Sequence, residues 1–303
     1  SIFYVLSSNQ ISSMKQALLN IFFMSILMLL CQSAYSQEDI VFNGLHFSYN
    51  KTKFKITENK VEVRGVTRRD TAIIIPSTVK NSHGIQQDVK NIGMSAFRQC
   101  HFLKRITIPN SITYIDWDAF YKCESLTSLV IPDSVRYIGT GAFNYCSSLT
   151  SISIPNSIIT FGDGPIFEKC DKLQYNEYNN ALYLGNQDNP YVVLIKAKSK
   201  DISSCVINEN CKCILSEAFS GCTDLTNISI PNNITCICSN AFEGCNNLQY
   251  NEYNNALYLG SQDNPYAALI KAKSTNIIRC RINTDCKTIS SSAFKECNKL
   301  TNV

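Results

Sequence analysis

Leu126-Thr127-Ser128-Leu129-Val130-Ile131-Pro132 alternates apolar with small polar side chains and then stops at a proline. Alternation is the period of a strand with one buried side. Proline ends the ladder because it lacks an N–H and fixes φ. The stretch belongs to a longer phrase that closes on Ala142-Phe143-Asn144-Tyr145-Cys146, and the return of this phrase decides the fold.

The closing motif stands at Ala96-Phe97…Cys100, Ala119-Phe120…Cys123, Ala142-Phe143…Cys146, Ile166-Phe167…Cys170, Ala218-Phe219…Cys222, Ala241-Phe242…Cys245 and Ala293-Phe294…Cys297. Its phenylalanines are spaced by 23, 23, 24, 52, 23 and 52 residues. A unit this short cannot bury its own apolar edge. Stacked units share one core, with rungs about 5 Å apart, so the spacing predicts a repeat solenoid. The expected class is a repeat solenoid, mainly β with short turns or helical pieces.

Each 52-residue interval holds the same insertion. Leu173–Ser199 recurs at Leu248–Ser274, 75 residues on. Ala181–Leu184 and Val192–Ile195 read as strands, joined by a turn at Gly185-Asn186-Gln187-Asp188-Asn189-Pro190. Two β-hairpin insertions, at 173–199 and 248–274, are therefore expected.

Two further columns support the stack. Two positions after the proline slot stand Thr78, Ser111, Ser134, Ser157, Asn210, Asn233 and Asp285, short polar residues expected to bond the turn that follows. The cysteine column reads as a small buried filler with a weak S–H donor. Seven in-register thiols pointing one way do not face each other as a disulfide requires. Cys211-Lys212-Cys213 and Cys236-Ile237-Cys238 weakly suit zinc, but Cys211 fills a buried Ile/Val slot, so no metal site is expected. Cys213 and Cys236 share a column on adjacent rungs and are the pair expected to bond if any disulfide forms.

The phrases Leu149-Thr150-Ser151-Ile152-Ser153-Ile154-Pro155 and Tyr137-Ile138-Gly139-Thr140-Gly141-Ala142-Phe143-Asn144-Tyr145-Cys146 resemble the BspA-type leucine-rich repeats of bacterial surface proteins and some protists. The likeness runs from about residue 70 to 303. Residues 91–303 are expected to be the repeats, and 37–90 an N-terminal β cap with Ile75–Val79 as a degenerate first rung. The resemblance implies a curved solenoid on an exported protein. For several relatives it also implies adhesion to host matrix or plasma proteins, or to other bacteria. It supplies no fixed set of binding residues. The chain departs from the pattern at Asn208 and Asn283, which replace proline, and at Ile166, which replaces alanine. It stops at Asn302-Val303 inside a new rung, so a truncated array is expected.

Residues 14–36 read as a signal peptide, with an apolar run Leu18–Leu30 and a small-x-small site at Ala34-Tyr35-Ser36. Residues 1–13 are expected to be an over-extended start. The expected location is the cell surface or the medium, with no membrane span once the signal is cleaved. A net charge of +4 carries no strong basic stripe, which argues against nucleic acid as a partner.

Between the buried positions of the repeat strands, Arg105, Thr107, Ser128, Val130, Ser151, Ser153, Ser204, Val206, Asn227, Ser229, Arg279 and Arg281 are expected to face outward. They make a hydroxyl- and amide-lined ribbon, open to two readings: a wide binding face, or a soluble sheet surface. The insertions carry Tyr175, Tyr178, Tyr183 and Tyr191, repeated as Tyr250, Tyr253, Tyr258 and Tyr266. Tyrosine suits recognition of a glycan or protein, and it equally suits packing of the hairpin on the solenoid. Packing is the favoured reading; Tyr183, Tyr191, Tyr258 and Tyr266 are kept as binding candidates.

His46, His83 and His101 stand in no catalytic motif, and no phosphate loop, serine elbow or carboxylate pair appears. Neither enzyme activity nor a cofactor is expected. The reading is a non-catalytic adhesion or protein-binding solenoid whose partner is a host matrix or plasma protein, another surface protein, or a glycan. The alternatives are a structural spacer and an accessory glycan-binding surface protein.

Overall fold

The computed structural model describes residues 39–42, 45–50, 53–58, 71–80 and 84–303, all within one compact unit spanning Glu38–Val303. The expected signal peptide, the 1–13 segment, and the side chains of His46 and His83 lie outside the described residues.

Most rungs contribute two short parallel strands. One ladder pairs Ala72–Ile74 with Arg105–Thr107, Ser128–Val130 with Ser151–Ser153, and Ser204–Val206 with Asn227–Ser229. The second ladder runs through Tyr114–Ile115, Tyr137–Ile138 and Thr160–Phe161. At its upstream end, Gln86–Ile92 and Lys53–Glu58 join it in parallel, and Leu45–Asn50 and Asp39–Phe42 extend it as an antiparallel meander. After the first insertion the second ladder resumes as Val193–Ala197, Cys213–Ile214 and Cys236–Ile237.

The Ala-Phe segments are successive turns, and no helix occurs among the described residues. The reason is visible in the backbone. The residue before alanine and the residue before cysteine take positive φ in most rungs: Ser95 and Gln99, Asp118 and Lys122, Gly141 and Tyr145, Glu217 and Gly221. Two left-handed residues in one segment forbid helical propagation. Hydrogen bonds then alternate. Asp118, Phe120 and Lys122 donate N–H to carbonyls of the next rung, at Thr140, Ala142 and Asn144, while Ala119, Tyr121 and Cys123 donate to carbonyls three residues back.

The core follows the columns. Phe97, Phe120, Phe143 and Phe167 stack in sequence with centroids 5.2–5.6 Å apart and planes within 8°. Phe219 and Phe242 repeat the pair at 5.5 Å. Rung spacing therefore matches the offset-stacking distance of aromatic rings. The cysteines fill the space beside them. Cys123, Cys146, Cys170 and Cys245 are buried, and each Sγ donates to the phenylalanine carbonyl of the preceding rung at 3.0–3.2 Å. The fourteen described cysteines are all free thiols, including Cys213 and Cys236, which lie opposite one another in register.

One expectation is corrected. Ser134, Ser157 and Asn233 bond the preceding rung, not the turn that follows. Ser134 Oγ donates to the Ile112 carbonyl at 2.5 Å, and Ser157 Oγ to the Val135 carbonyl at 2.8 Å. Rungs only about 5 Å apart bring that carbonyl within reach of a one-carbon side chain.

Candidate binding surfaces

The outward strand residues lie where alternation puts them. Arg105, Thr107, Ser128, Val130, Ser151, Ser204, Val206, Asn227, Arg279 and Arg281 are exposed, and Ser153 and Ser229 are half-buried. Between them Ile106, Leu129, Ile152, Cys205, Ile228 and Cys280 point into the core. Val130 is 70% exposed and Ile74, at the same outward slot of its strand, 75%.

The insertions differ in detail from the expected hairpin. Each is a three-stranded antiparallel unit: Asn176–Tyr178, Ala181–Leu184 and Val193–Ala197, then Asn251–Tyr253, Ala256–Leu259 and Ala268–Ala272. The added first strand is too short and polar to show a periodicity of its own. Its two-residue turn, Asn179-Asn180, has φ of 43° and 66°, and Asn254-Asn255 has 44° and 66°. Asparagine tolerates that region better than most residues.

These turns dock on the next repeat strand. Asn179 Oδ1 accepts the Val206 N–H at 2.6 Å, and Asn180 Nδ2 donates to the Ser204 carbonyl at 3.0 Å. In the second insertion Asn254 Oδ1 accepts the Arg281 N–H and Asn255 Nδ2 donates to the Arg279 carbonyl, both at 3.0 Å. The asparagine side chains stand in for the backbone of a missing neighbouring strand.

At the other end, the Gly185–Pro190 turn is latched between two rungs. Asn189 Nδ2 donates to Asn156 Oδ1 at 2.8 Å and to the Asn210 carbonyl at 3.0 Å. Asn264 repeats this with Asn232 Oδ1 and the Asp285 carbonyl, at 2.7 and 2.9 Å. Gly185 permits the fold-back: a Cβ there would sit 2.0 Å from the Asn189 carbonyl oxygen.

Latching places Asn186, Gln187 and Asp188 as one wall of an open groove of about 1060 Å³. Its floor is the strand face at Arg105, Thr107, Ser128, Val130 and Ser153. Thus five of the expected ribbon residues share one depression. Ser151 is exposed beside it, Asn227 and Ser229 lie beyond the first insertion, and Arg279 lines a separate depression of about 600 Å³ with Asn255 and Asn276. The wall was missed at the sequence level because its latch joins residues 33 apart; the only sign was an asparagine recurring at 189 and 264.

The tyrosine candidates need correction. Tyr183 and Tyr258 are fully buried, so they cannot touch a partner. Burial pushes the Tyr258 phenol up to about 12 and raises Tyr183 further. Tyr191 and Tyr266 pack edge-on against them, with centroids 5.5 and 5.6 Å away, and are half-buried. Each buried hydroxyl needs a partner. Tyr183 OH accepts the Asn208 N–H at 3.3 Å, and Tyr258 OH accepts the Asn283 N–H at 3.1 Å. Proline has no N–H to give, which explains why these two rungs carry asparagine. Tyr178, 39% exposed, is the most open tyrosine of the first insertion.

His101 is exposed, with Nδ1 3.4 Å from a Glu124 carboxylate oxygen. Among the described residues no group of three or more His, Cys, Asp or Glu side chains is placed to hold a metal ion.

The BspA type leucine rich repeat region matches in six copies, over residues 77–187 and 197–303. The chain is similar to the solved structure of a leucine-rich repeat protein from Bacteroides ovatus, at 19% identity over 89% of this chain and 82% of that one, TM-score 0.43. It is similar to a T. pallidum leucine rich repeat protein, at 17% identity over 87% and 91%, TM-score 0.37. A leucine rich cell surface protein from Faecalibacterium prausnitzii shows 19% identity over 90% and 95%, TM-score 0.29. No curated protein matches. The matched repeats cover well over half of the sequence, and the chain belongs to the BspA-type leucine-rich repeat family.

Proposed function

We propose that this chain is a non-catalytic protein of the cell surface or the medium, and that it binds another protein through the groove on its strand face. The observation that carries the reading is the latched Asn186–Asp188 wall standing over Arg105, Thr107, Ser128, Val130 and Ser153. A rigid wall beside a rigid sheet loses little conformational freedom on binding, so contacts made there are not offset by ordering costs. The floor sets an exposed valine and one arginine among hydroxyls, so it offers apolar area together with hydrogen-bonding groups to a partner. The expected partner class is a host matrix or plasma protein, or another surface protein. Family membership and the exported-type N-terminus support the location. For a glycan partner the burial of Tyr183 and Tyr258 leaves Tyr178, with half-buried Tyr191 and Tyr266, as the tyrosines that could contact it.

The test is a binding panel of purified matrix and plasma proteins, fibronectin and fibrinogen among them, beside a glycan array. At least one protein is expected to bind, with affinity lowered about tenfold or more by Val130→Asp, a loss of about 1.4 kcal/mol. Ile159→Asp, at an exposed position outside the groove, is expected to leave it unchanged. Absence of binding across the panel favours the spacer reading. Binding indifferent to Val130→Asp places the site elsewhere.

A further inference from the structure

Cys213, Cys236 and Cys238 are buried together and take no part in the groove. Cys236 Sγ lies 3.6 Å from Cys238 Sγ and 3.3 Å from Thr160 Oγ1. Cys213 Sγ reaches the Ile159 carbonyl only at 3.7 Å. Thr160 and Cys236 are 76 residues apart, so the cluster marks a seam where rungs before the first insertion meet rungs after it. Gly164 N–H to Ser216 Oγ at 2.9 Å and Ser239 N–H to Asp163 Oδ1 at 3.0 Å continue that seam.

Most other thiols have a carbonyl to donate to. Cys123, Cys146, Cys170 and Cys245 hold phenylalanine carbonyls, and Cys205, Cys211 and Cys286 hold other backbone carbonyls at 3.0–3.3 Å. At the seam Cys236 and Cys238 meet sulfur to sulfur, and Cys213 holds the Ile159 carbonyl only at the longer 3.7 Å. Cys213 stands directly opposite Cys236 on a parallel strand. In-register neighbours lie about 4.8 Å apart, inside the roughly 4.4–6.8 Å Cα window of a disulfide, so bonding requires these two side chains, which point the same way, to turn toward each other. Cys236 and Cys238, two apart on an extended chain, fall near its outer edge, at about 6.5 Å. Donation from Cys213, then from Cys238, lowers the Cys236 thiol from its usual range, against the burial that raises it.

We propose that Cys213 and Cys236 are a thiol–disulfide modification site that staples adjacent rungs at the seam. The oxidant is a low-molecular-weight disulfide reaching the pair when the seam opens. The Cys236 thiolate attacks one of its sulfurs, breaking that S–S bond and releasing one thiol. The Cys213 thiolate then displaces the second half from Cys236. One S–S bond forms in the chain and one is lost from the reagent, which takes up two electrons and the two thiol protons.

The test equilibrates the full chain with mixtures of reduced and oxidised glutathione, traps remaining thiols by alkylation, and maps the peptides by mass spectrometry. A Cys213–Cys236 cross-link is expected, retained in Cys238→Ser and absent in Cys236→Ser. The oxidised chain is expected to unfold at a higher urea concentration than the reduced one. Alkylation of all thiols in every mixture overturns the proposal, as does a mixed disulfide alone. So does a cross-link joining Cys236 to Cys238 or Cys146 to Cys170. Because the wild-type map decides, misfolding of a serine variant does not protect the proposal; Cys213→Ala supplies the second removal of the same bond.

Discussion

Asn179 and Val206 are joined where the strand ladder is interrupted: the Asn179 side-chain oxygen accepts the Val206 N–H at 2.6 Å. Seventy-five residues on, Asn254 and Arg281 make the same bond at 3.0 Å. The insertion thus closes the edge that it creates. An uncapped strand edge invites pairing with another chain, and the asparagine pair occupies it.

Asn179→Gly keeps the positive φ and removes only this bond. The Val206 amide is expected to exchange with solvent about tenfold faster, the equivalent of about 1.4 kcal/mol of local stability. Asn179→Asp, which keeps the acceptor oxygen, is expected to preserve protection, and Arg281 serves as the internal control. Unchanged exchange at Val206 in the glycine variant would remove the capping role.

Restoring the repeat consensus at position 208 is expected to harm the fold. Asn208→Pro deletes the N–H held by the buried Tyr183 hydroxyl and the Asn208 Oδ1 that accepts the Asn210 N–H. A loss of about 2–3 kcal/mol follows from leaving a buried hydroxyl unpaired together with the lost turn bond. In a Tyr183→Phe background the same change is expected to cost about 1 kcal/mol less, since no hydroxyl is orphaned. Urea unfolding of the four chains completes the cycle. Equal costs in both backgrounds would show that the tyrosine does not explain the asparagine.

Much of this architecture was legible beforehand, and the divide is physical. The phenylalanine and cysteine columns repeat at a fixed spacing, so periodicity exposes them, and one-sided burial follows from alternation. What stayed hidden joins residues far apart through single side chains: Asn189 to Asn156, Thr160 to Cys236, Asn254 to Arg281. Local pattern holds no information about such partners. Tyr183 was ambiguous for a related reason. A tyrosine on a hairpin strand looks the same whether its face meets solvent or the next rung. Asn208 and Asn283 were the available clue, because a consensus proline is surrendered only where an N–H is needed.

Alkaline pH is expected to weaken the fold. Burial pushes Cys245 up to about 11, and Cys205 and Cys211 to about 12, from a usual thiol value of 9.0. Between those values the unfolded chain binds fewer protons than the folded one. Stability is therefore fully present below pH 9.0 and lost as pH rises through the folded values. Urea midpoints measured under reducing conditions should stay level from pH 7 to about 9 and fall beyond it. A midpoint rising above pH 9.0 would contradict the burial of these thiols.

The most direct test of the account is a hydrogen-exchange footprint of the chain with and without the panel protein that binds it best. Protection is expected in two separate stretches at once, the strand face at Arg105–Thr107 and Ser128–Val130 and the wall at Asn186–Asp188. Protection confined to the Tyr114 and Tyr137 ladder, or to the insertions away from residues 186–188, would contradict a groove on the strand face as the binding surface.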